Sequence, residues 1–88
     1  MKASMNKFEE DVRAYVEDRR QRMNEIAEGK IDFRDRSDAL RWLDRFAYAN
    51  MIIINFAESV GMIDGEAAKG LRTESNNTRQ RADRRLNL

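Results

Sequence analysis

Residues 39–60 run for twenty-two positions without a glycine or a proline, and their apolar side chains are not confined to one stripe. That length exceeds an ordinary strand, so the segment must be a helix. On a helical projection Trp42, Leu43, Phe46, Ala49, Ile53, Phe56 and Val60 make one face, and Leu40, Ala47, Met51 and Ile54 make another. A helix apolar nearly all round is expected to be buried nearly all round. It cannot bury itself in a bilayer, because Asn50, Asn55 and Glu58 interrupt its most apolar part, and about 18 clean apolar residues are needed to span one. The rest of the chain, or a second copy of it, must supply the cover.

Two further helices can do so. Ser4 offers an N-cap followed by Glu9, Glu10 and Asp11 near the positive end of a helix dipole, and Phe8, Val12, Tyr15, Met23 and Ile26 recur at helical spacing. A first helix is therefore predicted over about residues 5–28, stopped by Gly29. Residues 29–38 break the period and read as a loop, with Ile31 and Phe33 tucked under the bundle. Ser37 is the expected cap of the second helix, about 38–60, which ends at Gly61. Asp64 caps a third, about 65–85, whose weak stripe is Ala67, Leu71, Ser75, Thr78 and Ala82. Gly70 and Asn76–Asn77 lower its helix propensity, so bending or fraying toward the C-terminal end is expected. The short turn at Gly61 makes helices 2 and 3 antiparallel neighbours. The predicted fold is all-α: one domain over residues 1–88, a three-helix bundle or a helical hairpin with an added helix, dimerising through the central helix.

An 88-residue chain with no cysteine has no disulfide to offset its small core, which also favours association with a partner subunit. The absence of cysteine and histidine removes thiol nucleophiles, Ser–His and Cys–His pairs, and zinc sites built on thiolate or imidazole. Glu9, Glu10 and Asp11 read as dipole complement rather than metal ligands, since carboxylate sites in bundles normally pair Glu with His. Asp32, Asp35 and Asp38 alternate with Arg34 and Arg36 and lack the central glycine of a calcium loop. Gly61, Gly65 and Gly70 follow no strand and precede no Gly-Lys-Ser/Thr, so they do not form a phosphate loop. No enzyme activity, cofactor or metal is expected. No apolar leader is visible near the N-terminus, and the expected location is cytoplasmic.

Two sets of residues stand out for recognition. Asn50 and Asn55 lie in an otherwise apolar helix, where an amide costs stability unless it finds a partner. With Met51 and Ile54 they form the expected self-association set, a buried asparagine being one way to fix register between helices. In the other reading one amide bonds a loop carbonyl and the other reaches solvent. The second set is basic. Residues 79–88 hold four arginines against Asp83, whereas the whole chain carries a net charge of only +1. Arg72, Arg79, Arg81, Arg84 and Arg85 are the expected partner-binding residues, and a protein with an acidic surface is the expected partner. Nucleic acid is the alternative, weakened by the near-neutral charge and by the lack of an aromatic stacking platform beside the arginines. A small helical protein–protein interaction module is therefore expected. It would act stoichiometrically as an adaptor or inhibitor of the kind phages and mobile elements encode; the alternative is a nucleic-acid-binding regulator using the same arginines.

Overall fold

The start of each helix is held by a side chain that accepts the amide three residues downstream. In the computed structural model, which describes residues 6–87, these caps open α1 (Lys7–Ala27), α2 (Arg36–Ser59) and α3 (Gly65–Leu86). Asn6 accepts from the Glu9 amide at 2.7 Å, Asp35 from Asp38 at 2.8 Å and Asp64 from Ala67 at 2.8 Å. Asp64 is the cap expected from sequence. Ser4 lies outside the described residues. Ser37 falls inside the first turn of α2, because Asp35, in extended backbone, already supplies the charged acceptor that the geometry needs. Asp64→Ala is expected to cost about 1 kcal/mol, read as a shift in urea midpoint, and Asp64→Ser to recover most of it.

Gly29 and Gly61 end the first two helices in the left-handed region, at φ +75° and +77°. In each case the glycine amide and the next amide turn back onto the last helical carbonyls. Gly29 and Lys30 donate to Ile26 and Glu25, and Gly61 and Met62 donate to Glu58 and Ala57. This double closure satisfies acceptors the helix leaves open, and only glycine reaches the required φ without strain. The third helix, expected to bend or fray, runs unbroken to Leu86. Gly70, Asn76 and Asn77 all face solvent. Their low propensity is outweighed by the packing of Ala68, Leu71, Ser75, Thr78 and Ala82 on the other side.

The helices pack up, down and up, every pair in contact. One apolar cluster joins Val12 and Val16 of α1 to Ile54 and Ala57 of α2 and to Ala68 and Leu71 of α3. A second joins Met23, Leu43, Ala47 and Ala82, with Leu40, Phe46 and Leu86 packed against it. Ala68, Ser75 and Ala82 recur every seven residues, so a line of small side chains lets α3 lie close to the other two helices. Ala68 is fully buried and Ala67 only partly, so the α3 stripe begins one residue later than expected, while Leu71, Ser75, Thr78 and Ala82 are buried as read in the sequence.

The expectation for α2 needs a larger correction. Its buried line is Ala39, Leu43, Ala47, Asn50, Ile54 and Ala57, drawn from both faces read in the sequence. Two neighbouring helices cover only one side, so Trp42, Tyr48, Ile52, Phe56 and Val60 remain exposed. Phe8 and Tyr15 of α1 are likewise exposed rather than core. Ile31 and Phe33 are half-buried, lining a shallow cleft with Trp42 and Phe46.

Candidate interaction surface

From Phe46 to Val60 the only charged residue is Glu58, in a chain that is 38% charged. Glu58 is turned toward α3, where Arg72 holds it at 3.1 Å. The outward side of α2 is therefore uncharged for about four helical turns. Phe56 is 62% exposed and Tyr48 68%, large values for aromatic side chains.

Helix geometry places Phe8 and Tyr15 beside this stripe. On α1, Arg13, Glu17 and Arg20 border α3 together with Leu71 and Glu74. Phe8 and Tyr15 lie on the opposite flank, toward α2. On α2, Asp44 and Glu58 mark the α3 flank through their ion pairs with Arg79 and Arg72. Trp42, Phe46, Ala49, Ile53 and Val60 occupy the other flank, at spacings of four or three and their sum, with Ile52 and Phe56 pointing outward between. The two helices run antiparallel, Val12 and Val16 packing at the C-terminal half of α2 and Met23 at its N-terminal half. Phe8 thus borders the Phe56–Val60 end. Two guanidinium groups rest on aromatic rings of this surface: Arg19 lies 3.6 Å from the Tyr15 centroid and Arg45 4.8 Å from that of Trp42. Fully exposed aromatic side chains present about 150–250 Å² each, so these apolar residues leave on the order of 600 Å² in water. That is at the upper end for the largest apolar patch of an ordinary monomer.

The expected self-association residues divide. Asn50 and Ile54 are fully buried among the chain's own three helices, which removes both from any surface open to a second copy. Asn50 Nδ2 donates to the Val16 carbonyl at 3.4 Å and to Ser75 Oγ at 3.1 Å, so the register it fixes is between α2, α1 and α3 of one chain. The Val16 carbonyl only accepts, which sets the amide orientation and leaves Oδ1 without a partner among the described residues. Asn55 is exposed and accepts from Arg72 at 3.0 Å. Met51 is half-buried in an open groove between α2 and α3, beside Tyr48, Arg41, Arg45 and Arg79.

The arginines divide as well. Arg72 and Arg79 cross from α3 to α2, the latter reaching Asp44 Oδ1 at 2.7 Å. They act as staples between helices rather than as free cations. Arg81, Arg84 and Arg85 are exposed and make no ion pair among the described residues, although Arg81 lies 3.5 Å from Thr78 Oγ1. Arg84 and Arg85 stand in the last turn of α3, where positive charge complements the helix dipole. Sequence reasoning did not single out Tyr48 and Ile52, nor Phe8 and Tyr15 as surface residues. The signal that marks the α2 members is the charge-free run itself, an unusual feature for a solvent face in so charged a chain.

Among the described residues no three His, Cys, Asp or Glu side chains are grouped to hold a metal ion, and no helix is long and apolar enough to cross a membrane. No known protein family, curated protein or solved structure matches the chain.

Proposed function

We propose that this protein works by protein–protein contact alone, as a small helical interaction module acting stoichiometrically on another protein as an adaptor or inhibitor. The observation that carries this reading is the aromatic-rich outward face of α2, uncharged from Phe46 onward, which the chain's own helices leave open. An apolar surface of that size tends to be covered when the protein is at work. Self-association through the central helix belongs to the same reading. It uses Trp42, Ile52, Phe56 and Val60, not Asn50 or Ile54.

The second contact is basic. Arg81, Arg84 and Arg85 make no ion pair among the described residues, and an acidic protein surface is the matching chemistry. Arg72 and Arg79 drop out of this set because Glu58 and Asp44 already hold them.

Changing Arg81, Arg84 and Arg85 to alanine together is expected to weaken partner capture about tenfold or more, while helicity and thermal midpoint stay near those of the parent. Capture from the native host, read by mass spectrometry, measures this. The same variant separates the nucleic-acid alternative. Phosphate contacts make affinity fall steeply with salt, so tight duplex binding that persists at physiological salt and vanishes in the triple variant would replace the protein-partner reading.

A further inference from the structure

Resting on that reading, we infer that the occupant of the outward α2 face is a second copy of this chain, packed antiparallel about a twofold axis that passes between Ala49 and Ile53, level with Met51. Three observations converge on this arrangement.

The first is area. With on the order of 600 Å² of apolar side chain exposed on one copy, two copies reach the roughly 1,200–2,000 Å² that stable specific interfaces bury. The single surface that α1 and α2 make, with Phe8 and Tyr15 flanking the α2 stripe, brings four helices to one seam when doubled.

The second is spacing. Trp42, Phe46, Ala49, Ile53, Phe56 and Val60 are separated by four, three, four, three and four residues. This is the alternation of a coiled-coil line; Trp42, Phe56 and Val60 are its exposed members, while Phe46 and Ile53 also pack on the chain's own core and Ala49 is half-buried. A twofold interface must match itself, and a line of this kind does so when reversed. Ala49, the one small member, leaves room for a bulky side chain from the facing helix.

The third is charge, and it selects direction. The exposed cations of this face, Arg41 and Arg45, both lie in the N-terminal half of α2. The C-terminal half is uncharged outward, and the last turn of α2 contains no basic residue to complement the negative end of its dipole. Antiparallel packing sets Arg45 of each copy against the C-terminal turn of the other. Parallel packing would set Arg45 against Arg45.

The chain contains no cysteine, so one introduced thiol is a unique label site. Ser59, exposed at the rim of the stripe, lies eight residues from the proposed axis. At 1.5 Å per residue, spin labels on Ser59→Cys in an antiparallel dimer are about 24 Å apart along the helix direction or more. In a parallel dimer they are separated only by about the 8–10 Å between packed helices, plus their linkers. Sedimentation of the unlabelled protein at micromolar concentration is expected to give the dimer mass. Phe56→Lys, at an exposed position, is expected to give a monomer of unchanged helicity. A monomeric parent, a dimer that survives Phe56→Lys, or a short Ser59 distance each overturns the inference. The broader reading is separable from it: a monomeric parent whose partner capture is abolished by Phe56→Lys returns this face to a different protein. Unchanged capture by both Phe56→Lys and the triple arginine variant removes the broader reading itself.

Discussion

Ile54→Ala is expected to lower the unfolding free energy by about 2–5 kcal/mol. Ile52→Ala, two positions away on the same helix, is expected to change it by no more than about 0.5 kcal/mol at concentrations where the chain is monomeric. The contrast follows from where the two side chains end. Ile54 is fully buried among Val12, Val16, Ala57, Ile63, Ala68 and Leu71, drawn from all three helices and the turn before α3. Truncation there forfeits the transfer free energy of three carbons and leaves a cavity that three packed helices cannot collapse. Ile52 is 51% exposed and has little cover to lose. At roughly 0.05–0.15 kcal/mol per residue, a domain of this size holds about 4–13 kcal/mol, so Ile54→Ala removes a large share of it. Urea midpoints measured at low protein concentration check both. Equal shifts at the two positions would contradict the facing of α2. At high concentration Ile52→Ala should cost more, because dimer formation adds stability by mass action.

Helix ends and helix facing were legible to very different degrees. Gly29 and Gly61 marked their boundaries because a residue at φ near +75° after a helical run is a position that glycine fills with least strain. The caps Asn6 and Asp35 were less visible, since serine, asparagine and aspartate near each start all had the right chemistry and only backbone conformation chose among them. The buried line of α2 was hidden by its own apolarity. With apolar side chains on every side, periodicity selects no inward direction, and the choice falls to what the other helices present. There Ala68, Ser75 and Ala82, inconspicuous in a hydrophobicity reading, decide how close α3 can come. The arginines show the same limit. Arg72 and Arg79 differ from Arg81 and Arg84 only in the partners that tertiary structure provides, because Glu58 and Asp44 stand far from them in sequence.

The buried amide at Asn50 is expected to show its role through two opposite substitutions. Asn50→Leu removes both donors and the orphaned Oδ1 together. The Val16 carbonyl belongs to α1, and the Ser75 hydroxyl can turn to the carbonyl four residues back on its own helix, so the stability change should stay within about 1 kcal/mol. What the leucine variant loses is the polar fit of α2 to Val16 and Ser75. Asn50→Asp keeps the shape but sets a buried carboxylate against the Val16 carbonyl, which should cost several kcal/mol at neutral pH. Burial disfavours the charged form, so the introduced carboxyl has a higher pKa folded than unfolded. Its penalty is therefore absent below the unfolded value near 4, where the protonated acid can donate to the Val16 carbonyl as the amide does. The penalty then grows by about 1.4 kcal/mol for each pH unit until the folded pKa is passed. Urea midpoints of the aspartate variant, measured against the parent at pH 5 and pH 7, test this directly. An equal deficit at the two pH values would mean that the carboxyl has found water or a cation, and that the layer joining Val16, Asn50 and Ser75 opens more readily than the packing around it allows.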